Sequence, residues 1–348
     1  MKKFITYLVL LFAFSNGGIN LYAQQQSRQE VDFNKGWKFS LGDRSGWSAE
    51  AFDDNSWRTL NLPHDWSIEG KFDQKHPATV GGGALPGGTG WYRKQFQVSA
   101  TAKGKYIAID FDGVYRNSEV WINGHYLGIR PNGYIAFRYE LSKYLNYGGT
   151  NTIAVKVDNA KQPNSRWYSG SGIYRDVKLV TLNPIHVAQW GSYVTTPVVT
   201  DQSAKVEVAL QVNAGMKKQA ATIKTIVLDA ANRVLATNIQ QVQLGTGAPI
   251  HTTLVLKNPI RWSVDNPYLY TVQSQILVNG RELDRYHTPL GIRTFSFDTN
   301  KGFTLNGKDL KIRGVCMHHD LGALGSAFNL RAAERQLEIL KSMGVNGI

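Results

Sequence analysis

Three places in this 348-residue chain combine residue types able to do chemistry. The first is His318-His319-Asp320, three groups able to move protons or ligate metal. Successive side chains of an extended segment point to opposite faces, so the two histidines cannot share a metal without partners from elsewhere. The second is Leu62-Pro63-His64-Asp65-Trp66. Pro63 fixes the loop, and an aromatic ring beside a carboxylate suits a sugar, whose C–H face stacks while its hydroxyls hydrogen-bond. An equally good reading makes Asp65 the acceptor for buried backbone N–H groups beside a core tryptophan. The third is the glycine-rich run at residues 81–90, which has the composition of an anion loop. It lacks the context of one, because residues 91–96 continue as an alternating strand and not as a helix whose N-terminus could hold an anion. A loop shaping a sugar pocket is the better reading. Glu334 and Glu338 fall on the polar side of a helical pattern and read as a solvated face.

The elements that must position these groups fall into three blocks, expected at residues 24–183, 184–293 and 294–348. The first holds seven of the nine tryptophans. It alternates apolar and polar residues at 105–111, 118–122 and 152–157, with Asn123-Gly124 as a turn. Many short strands between Gly and Asn turns predict a jelly-roll β-sandwich, with most tryptophans filling its core. The second block alternates at 204–212, 222–228 and 270–278, the strand spacing of a small immunoglobulin-like sandwich without its paired cysteines. In the third, Asn306-Gly307 between apolar runs predicts a tight hairpin. Residues 311–315 follow as a short strand. Leu330, Ala333, Leu337, Leu340 and Met343, at three- and four-residue spacing, predict an amphipathic helix stopped by Gly344. Residues 345–348 begin another apolar run. One strand–helix–strand step cannot bury its own faces, so this block is expected to be the incomplete opening of a further domain.

The string IRGVCMHHD, followed by LKSMGVN, resembles the first strand–helix–strand step of the catalytic (β/α)8 TIM barrel of glycoside hydrolase family 2, the β-galactosidase family. The first block resembles the sugar-binding domain that opens those enzymes, on FNKGWKF, NLPHDWSIEG, GGTGWYRKQF, DGVYRNSEVWINGHYLG and NSRWYSGSGIYRDVKL. RWSVDNPYLYTV and GIRTFSFD resemble the end of the family's second domain and its junction to the barrel. The implied fold is mainly β: a jelly-roll sugar-binding sandwich, an immunoglobulin-like sandwich, then the start of a truncated TIM barrel. The implied reaction is retaining hydrolysis of terminal β-galactosides in carbohydrate catabolism, by two carboxyl groups about 5 to 5.5 Å apart. The family's two catalytic glutamates lie further along the barrel, so no catalytic residue is expected in this chain and it is expected to be inactive by itself. β-Glucuronidase and β-mannosidase share these domains. A non-catalytic carbohydrate-binding protein built from the two sandwiches is the reading from another class.

The resemblance also distributes roles. His318 matches a histidine that contacts the sugar and helps stabilise the transition state. Arg166 and Trp167 lie where family members bring first-domain residues to the barrel mouth, although a core tryptophan is as good a reading of Trp167. His64, Asp65 and Trp66 complete the set of substrate-binding candidates. Cys316 and Met317 depart from the Asn-Arg of other members. The residues themselves assign no cofactor; the resemblance implies Mg²⁺ or Na⁺ in a complete enzyme, with ligands mostly outside this stretch, and a homo-oligomer once complete.

Composition bounds the rest. Hydrophobic residues at 42% and charged residues at 19% are ordinary for a globular protein. The net charge of +13 is spread without any run of more than two adjacent Lys or Arg, which argues against a nucleic-acid partner. Residues 1–23 carry two lysines, a short apolar run and a terminal Ala23, the pattern of a secretory signal peptide and not of a membrane span. With the single Cys316 no internal disulfide forms. Export is expected, to a periplasm first, with the extracellular space as the alternative.

Overall fold

Alternation of apolar and polar residues builds two sandwiches in series in the computed structural model, which describes residues 27–215 and 218–348. The expected signal peptide lies outside the described residues. Among them, no helix is long and apolar enough to cross a membrane.

The first sandwich runs through β1 (Arg28–Asp32), β2 (Trp37–Leu41), β3 (Arg58–Leu60), β4 (Gly88–Gln97), β5 (Tyr106–Phe111), β6 (Ser118–Ile122), β7 (His125–Arg130), β8 (Phe137–Glu140), β9 (Thr150–Asn159) and β10 (Val177–Leu182). Its two sheets are ordered β3-β2-β4-β9-β6-β7 and β1-β10-β5-β8. Inward residues of both sheets form one core that includes Trp37, Phe39, Tyr92, Ile109, Phe111, Val155 and Ile173. The tryptophans do not all go there. Trp47, Trp57 and Trp91 pack as a separate cluster, against which the 47–54 segment folds. That segment is held by Arg93, whose fully buried guanidinium pairs with Asp54 at 2.9 Å and donates to the carbonyls of Trp47 and Ala49.

The second sandwich comprises β11 (His186–Val199), β12 (Ser203–Asn213), β13 (Gln219–Leu228), β14 (Val234–Leu244), β15 (Ile250–Lys257), β16 (Tyr270–Val278) and β17 (Arg281–Leu290), in sheets β11-β12-β15 and β14-β13-β16-β17. A buried ion pair joins it to the first. Arg28 in β1 donates to both oxygens of Asp284 in β17, at 3.2 and 2.8 Å, and the same carboxylate accepts the Val187 N–H at 2.7 Å. Asp284 is wholly inaccessible to solvent.

The last block opens with β18 (Phe295–Asp298), β19 (Gly302–Leu305) and β20 (Lys308–Asp309), a small antiparallel sheet. Asn306 and Gly307 take φ of 52° and 75°, the two left-handed residues of the expected turn. The strand expected at 311–315 is not formed. Its one neighbour is the four-residue run at 345–348, which gives a single parallel bridge, Gly314 to Gly347. The helix α1 (Leu330–Ser342) forms as its periodicity predicts. Asn329 caps it, accepting from the Ala332 N–H at 3.0 Å. None of its residues is buried: Leu330 and Leu337 remain 65% and 47% exposed, and Met343, which follows the helix, 71%.

Candidate functional site at the junction of sandwich and barrel opening

Three loops meet above one end of the first sandwich: the turn carrying Asp65, the 160–175 segment, and the 316–328 segment of the last block. Asp65 holds them together. Its Oδ1 accepts the N–H groups of Ser67 and Ser171, at 3.0 and 2.9 Å. Its Oδ2 accepts the Tyr168 hydroxyl at 2.5 Å, and the Ser326 N–H and hydroxyl at 2.9 and 3.0 Å. Burial, then the adjacent carboxylate, push the Tyr168 phenol far up, so it stays a donor. The approach is close enough that Gly170, at φ 68°, admits no side chain; a Cβ there would lie 1.9 Å from the Ser326 Oγ.

The residues beside Asp65 are equally committed. His64 is buried between Phe39 and Tyr92. Its Nδ1 lies 2.7 Å from the Tyr92 hydroxyl, and its Nε2 lies 3.1 Å from Glu69, which also pairs with Arg58. Burial holds the Tyr92 phenol protonated, so it donates to Nδ1. Burial also depresses the His64 pKa, against the opposing pull of Glu69. Trp66 is 2% exposed, stacks on Phe39 with centroids 5.7 Å apart, and donates Nε1–H to the Gly87 carbonyl. The structure therefore places His64, Asp65 and Trp66 beneath the site as its support, without a ring face or free oxygen for a sugar. The bond to Gly87 also ties the glycine-rich loop into this support.

Trp167 and His318 do meet on the surface. Their rings lie 4.8 Å apart at 30°, and Trp167 Nε1 points to the Tyr134 hydroxyl at 3.3 Å. Arg166 is exposed beside them. His319 turns the other way, donating Nε2–H to the Ser169 carbonyl at 3.1 Å and packing against Tyr134 and Tyr174. The two histidines thus part, and among the described residues no group of His, Cys, Asp or Glu is placed to hold a metal. An exposed imidazole beside an indole whose N–H meets a phenol can stack on and hydrogen-bond a polyhydroxy ligand.

The carboxylate nearest His318 in sequence is that of Asp320, half-buried and close enough to Tyr168 to push its phenol further up. The four buried carboxylates among the described residues, Asp54, Asp65, Asp229 and Asp284, all hold N–H or guanidinium donors. Glu334 and Glu338 pair with Arg331 on the solvated face of α1.

Sequence reasoning missed Tyr134, Tyr168 and Ser326. The two tyrosines are ordinary polar aromatics in loops and Ser326 is a lone serine; their meeting depends on segments far apart in the chain, which leaves no spacing signal.

Comparisons with known proteins place the fold. The sequence profile of the sugar binding domain of glycosyl hydrolases family 2 matches residues 31–183, and that of glycosyl hydrolases family 2 matches residues 185–293. A β-galactosidase of Bacteroides ovatus is 52% identical over 92% of this chain and 38% of its own length. A β-glucuronidase of Bacteroides fragilis is 31% identical over 100% of this chain and 48% of its own. Among solved structures, a family 2 member from Bacteroides cellulosilyticus superposes with a TM-score of 0.89 at 40% identity, covering 91% of this chain and 42% of the other. The chain spans less than half the length of these relatives.

Proposed function

Because this chain belongs to glycosyl hydrolases family 2, we propose that it is the front of an exported retaining β-galactosidase acting on terminal β-galactosides of oligosaccharides or glycans. The observation that carries this reading is the contact of Trp167 with His318, where the sugar-binding sandwich and the barrel opening together present one aromatic rim. The sugar assignment is supported by the 52% identity to a β-galactosidase over nearly the whole chain.

In this reading Trp167 and Tyr134 stack on or border the sugar ring, Arg166 reaches its outer hydroxyls, and His318 hydrogen-bonds the sugar. His64, Asp65 and Trp66 position those loops. The chemistry is double displacement: one carboxylate attacks the anomeric carbon while a carboxylic acid protonates the leaving oxygen, and water then releases the glycosyl intermediate with that second group acting as base. We assign both carboxyl groups to barrel strands beyond the region described here, so this chain alone is expected not to hydrolyse glycosides.

Hydrolysis of 4-nitrophenyl β-D-galactoside and β-D-glucuronide tests the proposal, measured for the 348-residue chain and for the same sequence joined to the barrel that the proposal assigns to its own gene. The chain alone should release no nitrophenol. The joined protein should favour the galactoside by at least tenfold in kcat/KM. Preference for the glucuronide would overturn the sugar assignment, and turnover by the chain alone would overturn the placement of the catalytic pair.

A further inference from the structure

β11 is broken where the two sandwiches meet. Its register passes from Val187 opposite Val212 to Ser192 opposite Leu210, so residues 188–191 face Gln211 alone. Gly191 lets this bulge close, since a Cβ there would lie 2.7 Å from the Gln211 carbonyl oxygen. Trp190 takes φ 54°, a left-handed conformation that strains a bulky side chain. The result turns 67% of the tryptophan surface to solvent. A strained backbone that exposes the largest apolar side chain gains nothing for the core.

Beside Trp190 lies a cavity of about 160 Å³, room for a single sugar ring, whose walls include Asp112, Phe137, Gln189 and Tyr286. Its two guanidinium groups are already paired, Arg28 with Asp284 and Arg138 with Asp110. Asp112, Gln189 and Tyr286 instead carry a carboxylate, an amide and a phenol that no described residue hydrogen-bonds. A larger cavity of about 940 Å³ continues along the seam between the sandwiches, sharing Arg28, Glu30 and Tyr286 with the first.

We propose that this seam is a second, non-catalytic saccharide-binding site: the Trp190 indole stacks on the C–H face of a neutral hexose unit, Asp112, Gln189 and Tyr286 bind its hydroxyls, and further units run into the larger cavity. An aromatic platform with converging acceptors and donors has the chemistry of sugar recognition. With both guanidinium groups paired, the pocket favours a neutral unit over a uronate. The site shares no residue with the Trp167–His318 rim. The choice of a saccharide as occupant rests on the proposed function, and binding here is read without hydrolysis.

The test is ¹⁹F NMR of the 348-residue chain labelled with 5-fluorotryptophan, titrated with a β-1,4-linked galactotetraose. Trp190→Phe and Trp167→Phe assign the two resonances. The Trp190 resonance should move and saturate in the millimolar range, and Asp112→Asn should weaken that titration at least threefold. An unmoved Trp190 resonance overturns the site, and if the Trp167 resonance moves in the same titration the proposed function survives without it. A Trp190 titration unchanged in Asp112→Asn overturns the pocket's part in it. A galacturonate oligomer that displaces the neutral sugar would overturn the preference for a neutral unit.

Discussion

Ser326 donates both its backbone N–H and its hydroxyl to one oxygen of Asp65, across 261 residues of sequence. The bond fastens the opening of the barrel block to a loop of the first sandwich, and it does so with a carboxylate that accepts three further donors.

Replacing Asp65 by Ala should therefore destabilise more than a single lost contact. Buried N–H groups of Ser67, Ser171 and Ser326 lose their acceptor together, each orphan costing about 1–3 kcal/mol. The expected loss is at least ~3 kcal/mol by the same reasoning, seen as a large drop in the melting midpoint. Amide exchange at residues 320–328 should rise more than in β12. Unchanged protection there would contradict the fastening role.

Arg28→Ala should uncouple the two sandwiches. It leaves Asp284 buried with its strongest partner gone, a change that typically costs about 3–5 kcal/mol. Calorimetry should resolve two transitions in place of one merged transition, with the earlier assigned to residues 184–293. A single transition at the parental temperature would show that the pair is dispensable.

Acidification should weaken the fold between pH 7 and pH 5. Burial depresses the pKa values of His64, His186 and His287 below that of a free imidazole. The unfolded chain therefore takes up protons in this range that the folded chain refuses. Stability is fully present above the unfolded value near 6.5 and is lost as pH falls through it toward the folded values. The melting midpoint at pH 5.5 should lie below that at pH 7.5, and His287→Gln should reduce the difference. A midpoint that climbs on acidification would refute this account.

Trp167→Ala should separate binding from folding. The indole is only half-buried, so its loss should shift the melting midpoint little. In the protein joined to a barrel, kcat/KM for a β-galactoside should fall at least tenfold. Parental kinetics would remove Trp167 from the substrate rim.

The sandwiches were legible because alternation records burial directly: β12 reads Ala204, Val206, Val208 and Leu210 inward with Lys205 and Glu207 outward. The helix was legible from its 3.6-residue period and the glycine after it. The tryptophans misled in part, because a composition cannot distinguish the main core of Trp37 and Trp66 from the separate packing of Trp47, Trp57 and Trp91. At the candidate site, the pairing of an aromatic with a carboxylate in His64-Asp65-Trp66 had two readings from sequence. Only the tertiary approach of Tyr168, Ser171 and Ser326 supplies the donors that commit Asp65 to structure. Strain at Trp190 left no trace in the sequence, since its left-handed backbone arises from the register of β11 against β12.

The pairing of β1 with β10 also sets a timetable. Arg28 finds its partner in Leu182, so a ribosome must deliver nearly the whole first sandwich before its first strand has an edge to join. Until then β1 waits ahead of the other strands without a sheet edge. Such long-range closure slows folding.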